Sequence, residues 1–188
     1  MTSEALLHLV PRATAVLVYD VTQSLMVPGR SFEPWAADGL PLLVRLLDAC
    51  RHAGVLVIYG VAASGIDTSG TPPAIAQQPD DLIIHHQTSG AVANTELEPR
   101  MRAEGRDTLL ITGMAVDRGC NVAARDALAR KLHPIVVRDV CFTRDITESP
   151  VGPVPKADVA RAHLAALHRL GVGIATVEEV VAALKLAR

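Results

Sequence analysis

The sequence predicts an α/β fold: one three-layer domain over residues 1–188, with a six-stranded, mostly parallel sheet covered by helices on both faces. Two patterns point there. Short apolar runs alternate with longer amphipathic stretches along the whole chain, with no repeat or linker between them. The short runs are continuous and β-branched rather than alternating, as strands buried on both faces must be. A length of 188 residues, 49% hydrophobic and 20% charged, suits a single domain with a substantial core.

TAVLVYD (14–20) reads as the first strand, ended by an acid. The turn-rich VPGRSFEP follows and leads into a helix over 41–53, where Leu42, Leu43, Leu46, Leu47 and Cys50 form a stripe and Gly54 supplies the stop. VLVIYGVA (55–62) is strand two, and residues 63–79 form a long Ser, Gly, Thr, Pro and Gln loop. Strand three is 82–86. A helix then carries Leu97 and Met101 on its apolar face as far as Gly105. Strand four is 108–113, a helix covers 119–131, and strand five is 135–139. The proline-rich 147–155 is irregular; a helix over 157–170, strand six at 173–177 and a terminal helix complete the chain.

Composition narrows the function. A net charge of −2 and 3% aromatic residues argue against a nucleic-acid surface, which needs basic patches and stacking platforms. No apolar run approaches the ~18–20 residues of a membrane helix. The N-terminal MTSEALLHLVPR lacks the basic and apolar regions of a signal peptide, so a cytoplasmic protein is expected. Cys50, Cys120 and Cys141 are too few and scattered for a disulfide framework, and no CxxC suggests zinc. Neither a phosphate-binding loop nor a dinucleotide GxGxxG follows a strand, so no cofactor and no metal are expected.

In parallel α/β folds, ligands sit beyond the carboxyl ends of the strands. Asp20 ends strand one, with Thr22 and Gln23 next to it, and is a candidate general acid or base. His86 ends strand three as its candidate partner, while His85 faces the other side of the strand. The turn AVDRGC brings Asp117, Gly119 and Cys120 to a helix start, where free N–H groups favour a thiolate and Gly119 admits close approach of a ligand or water. Each has a plainer reading: a loop-capping carboxylate, a surface histidine, a sharp turn and a buried core thiol. Asp139 reads as a strand-end cap, Cys50 and Cys141 as core.

AVLVYDVTQSLM resembles the first strand of the isochorismatase-like hydrolase superfamily, of the type LVIDMQNDF. DLIIHHQTSGAVANTELEPRMRAEGRDTLLITGMAVDRGC resembles the centre of those proteins, and HRLGVGIATVEEVVAAL their end; the likeness spans roughly residues 14–184. It implies their fold, a small-molecule substrate and a homo-oligomer. The superfamily's usual triad is Asp, Lys and a nucleophilic Cys. Asp20 matches the acid. Counting back nine from Thr95 puts His86 at the lysine position, and six on from Gly113 puts Gly119 at the nucleophile position. Cys120 comes one residue late, which turns its side chain about 100° away. Gly before Cys at this turn resembles the isochorismatases proper, which hydrolyse a vinyl ether without a covalent intermediate. Other pocket positions also depart from the pattern: Thr22 stands for Gln, Val92 for Phe, Ala115 for Tyr and Asp117 for His.

These residues imply an enzyme acting on a small metabolite in specialised metabolism by non-covalent acid–base catalysis. The reaction is a vinyl-ether-type hydrolysis or a related elimination, rearrangement or cyclisation. Asp20 and His86 carry it, with Thr22, Gln23, Val92, Ala115, Asp117, Gly119 and Cys120 around the substrate. A non-catalytic binding or scaffold protein that kept the fold is the alternative. An amidohydrolase using Cys120 is a second alternative.

Overall fold

The computed structural model describes residues 8–26, 33–63, 70–87, 90–93 and 95–187. Six strands form one sheet: β1 (Thr14–Tyr19), β2 (Leu56–Ala62), β3 (Leu82–His86), β4 (Thr108–Met114), β5 (His133–Phe142) and β6 (Gly173–Ala175). Their order is β3-β2-β1-β4-β5-β6, and every neighbouring pair is parallel. The order reverses between β1 and β4, which places a switch point beside Asp20.

Helices α1 (Glu33–Ala53) and α5 (Val177–Leu186) cover one face, while α2 (Leu97–Ala103), α3 (Gly119–Ala129) and α4 (Lys156–Arg169) cover the other. Strand alternation divides the core accordingly. Val16 and Val18 pack with Leu43, Leu46 and Leu47 of α1, whereas Leu17 and Tyr19 pack with Cys120 and Ala123 of α3. Each leucine so buried contributes about 1.5–3 kcal/mol by leaving water.

Three of the boundaries that differ from the sequence pattern have a visible cause. Helix α1 begins at Glu33, not at residue 41, and Pro41 sits inside it; the proline that marks a helix start in the sequence pattern removes one backbone donor there without ending the helix. Strand β5 continues past Asp139 to Phe142, with a register shift against β4 between Ile111 and Gly113. That irregularity lets Arg138 and Asp139 interrupt the apolar run without ending the strand. Strand β6 stops at Ala175 because Thr176 caps α5, so Val177 is helical. The stretches 27–32 and 64–69 of the two expected loops lie outside the described residues.

Candidate functional site

Strand β1 delivers two adjacent residues to opposite faces of the sheet. Tyr19 points toward α3, and Asp20 turns off the strand end with a φ of 49°. That left-handed backbone is uncommon outside glycine but is tolerated by Asp and Asn. It is held by a hydrogen bond from the Asp20 N–H to the Gly60 carbonyl at 3.0 Å. Asp20 Oδ1 lies 2.9 Å from His86 Nε2; the imidazole is buried at 5% exposure, whereas Asp20 keeps 29%.

Beneath His86 lies the Tyr19 ring, with centroids 4.7 Å apart and planes 18° from parallel. Its hydroxyl is 3.4 Å from His86 Nδ1. Burial pushes the Tyr19 phenol well above its ordinary range, and the charges at Asp20 and Cys120 push in the same direction, so it stays protonated.

The same ring closes the N-terminus of α3. A Cβ on Gly119 would overlap Tyr19 Cε1 and lie 2.6 Å from Cζ. Tyr19 thus occupies the space before Gly119 in which the approach of a ligand or water is expected. Cys120 is likewise enclosed. It is fully buried, its Sγ–H donates to the Thr112 carbonyl at 3.7 Å, and burial pushes its thiol well up, with Cys141 the next contributor. A protonated, sealed thiol is no nucleophile. Val92 and Ala115 are buried and do not line the pocket beside Asp20. Asp117 accepts a hydrogen bond from the Thr143 hydroxyl at 2.5 Å. Asp139 accepts from Val177 N–H at 3.0 and 3.1 Å, capping α5 rather than ending β5.

The cleft lies on the other side of Asp20. A pocket of about 440 Å³ opens at the carboxyl ends of β1, β2 and β3, lined by Asp20 and Thr22 with Tyr59, Thr71, Gln77 and His85 among others. Of the two histidines of β3, His86 contacts the acid directly and His85 lines the pocket with it. Gln23 is exposed beside it; its N–H donates to Gly70 O at 2.8 Å and its amide to Thr71 O at 3.3 Å. The pocket wall is braced from below. Tyr59 donates to Ile75 O at 2.7 Å, and Arg51 donates to Tyr59 Oη at 3.2 Å and to Asp81 at 2.6 Å. Tyr59, Thr71, Gln77 and His85 carry no motif. A signal for Tyr19 did exist: an aromatic residue in an otherwise aliphatic strand, in a chain with only two tyrosines.

A three-layer α/β sheet with an acid at its switch point and a cleft beyond its strand ends defines an enzyme-like α/β class. The chain belongs to the isochorismatase domain family, whose model matches residues 14–179. It is similar to the crystal structure of a cysteine hydrolase from Pseudomonas syringae, with a TM-score of 0.87, 26% identity and all of both chains covered. It is also 26% identical to the phenazine biosynthesis protein PhzD of Pseudomonas fluorescens, over 70% of this chain and 72% of that protein. A maleamate amidohydrolase of Pseudomonas putida is 24% identical over 68% and 71% of the two chains.

Proposed function

We propose that this protein is an enzyme that acts on a small metabolite by non-covalent acid–base chemistry, with Asp20 as the acid and base and His86 as its partner. The observation that carries the reading is the 2.9 Å contact of His86 with Asp20, an acid that also lines a pocket of about 440 Å³. In vinyl-ether hydrolysis, protonated Asp20 adds its proton to the alkene carbon. The resulting oxocarbenium takes up water, which returns a proton to the Asp20 carboxylate, and the hemiketal collapses to a carbonyl compound and an alcohol. His86 hydrogen-bonds the carboxylate formed in the first step. An elimination or rearrangement uses the same proton transfer without the water. The buried thiols supply no covalent route, and membership of a family with hydrolase relatives supports the reaction class.

The test is turnover of a panel of small enol ethers and amides, isochorismate included, followed by mass spectrometry. Asp20→Asn keeps the left-handed backbone that Asn tolerates, and should lower the rate by about 100-fold or more. Undiminished turnover in that variant overturns the proposal. A non-catalytic binding protein is the second reading, favoured by the closure of the α3 N-terminus by Tyr19. Ligand binding without turnover, equal in natural protein and Asp20→Asn, would establish it.

A further inference from the structure

We propose that Tyr19 is the positioning residue of the Asp20–His86 pair, locking the imidazole in the tautomer that aims Nε2–H at Asp20. This rests on the acid–base reading above and adds a residue that the superfamily pattern does not assign.

The tautomer follows from donors and acceptors. With the acid's proton on Oδ2, or already given up, Asp20 Oδ1 accepts, so His86 Nε2 carries the proton in the 2.9 Å contact. In the neutral ring Nδ1 is then bare and needs a donor. The Tyr19 hydroxyl lies 3.4 Å from it, and a phenol that burial keeps protonated can donate. The near-parallel stack adds a second restraint, because rotation of the imidazole about χ2 would drive its edge into the tyrosine face.

Tyr19 is itself fixed by a slot between two glycines. A Cβ on Gly60 would stand 3.2 Å from Tyr19 Cδ2, and one on Gly119 would overlap the ring on its other side. The ring is 2% exposed. One strand and one helix start thus leave out side chains where this one enters. Position 119 does not present a reacting group; its emptiness houses the residue that orients His86. Tyr19 acts through the imidazole, and no proton passes to it.

The test needs no substrate. The full chain is labelled with 15N, and the ring nitrogens of His86 are followed by long-range 1H–15N spectra, assigned by their loss in His86→Gln. The natural protein should show one neutral tautomer, with Nε2 protonated and Nδ1 bare. Tyr19→Phe keeps the ring and its slot but removes the donor. It should move the Nδ1 resonance and speed solvent exchange of Nε2–H by about two- to tenfold, the share of one hydrogen bond. With a substrate in hand, kcat should fall by a similar factor while KM holds. A natural protein protonated on Nδ1 overturns the proposal without any variant. So does a Tyr19→Phe spectrum whose His86 resonances superimpose on those of the natural protein, whatever its rate. Either result leaves the role of Asp20 standing, whereas full activity in Asp20→Asn removes that role and leaves the spectra unchanged.

Discussion

The Tyr19 ring lies where any side chain on Gly119 would have to stand. A tyrosine on β1 and a glycine opening α3 are 100 residues apart, yet each is intelligible only through the other. Gly119→Ala forces a methyl into a packed ring and should destabilise by about 1–3 kcal/mol, the usual range for overpacking. Tyr19→Ala leaves a cavity and should cost about 3–5 kcal/mol, as for other buried aromatics. Combining Tyr19→Ala with Gly119→Ala should cost at least about 1 kcal/mol less than the sum, because the new methyl then enters vacated space. Urea unfolding of the four proteins measures this, and strict additivity would show that the two positions do not meet.

Beneath the pocket, the guanidinium of Arg51 pairs with Asp81 at 2.6 Å, with exposures of 18% and 5%, and Arg51 Nε is buried without a hydrogen-bond partner among the described residues. Removing one member leaves the other charge uncompensated. Asp81→Asn should cost about 3 kcal/mol, the low end for a buried pair because Arg51 keeps some water. The Gln78 N–H, which donates to Asp81 at 2.8 Å, should exchange faster. A loss below about 1 kcal/mol in urea, with unchanged exchange, would show that the pair does not brace the wall.

Cys50, Cys120 and Cys141 are all buried. Burial pushes the Cys50 thiol up to about 12, against a smaller opposing pull from Arg51, and drives Cys120 up as well. Native protein at neutral pH should therefore take up no iodoacetamide, while unfolded protein should take up three equivalents, read by intact mass. Selective labelling of native Cys120 would restore the thiol-based alternative.

The sheet is legible in the sequence because unbroken β-branched runs have few other places to go. Asp20 and His86 are legible for a related reason: a polar residue at the end of such a run stands where these folds place ligands. What the pattern hides is set by packing across the sheet. Gly119 reads as open space by itself and as filled space once Tyr19 is placed beside it. Val92 and Ala115 match pocket positions of the superfamily but are core here, and the cleft lies toward β2 and β3. Tyr59, Thr71 and Gln77 reach it through a loop and a bracing network that no local pattern encodes. The scarcity of aromatics acquires a location, since both tyrosines of the chain flank Asp20, one on each side of the sheet.

The start of α5 gives a prediction with a defined pH sign. Thr176 and Glu179 form a reciprocal cap: the Glu179 N–H donates to Thr176 Oγ1 at 3.2 Å, and Thr176 N–H and Oγ1 donate to Glu179 Oε2 at 2.6 and 2.9 Å. The backbone donor first, and the hydroxyl second, hold the Glu179 carboxyl below its ordinary value of 4.5. A carboxyl depressed in the folded state stabilises the protein fully above its unfolded pKa and loses that contribution as pH falls through the folded value. Thr176→Ala should cost about 1 kcal/mol near neutral pH, the usual effect of losing such a cap. The difference in Tm between natural protein and variant should stay constant from pH 8 to about 6 and narrow below about 4.5, where Glu179 takes up its proton. A difference that widens with acid would reverse the sign and remove the carboxylate from the cap.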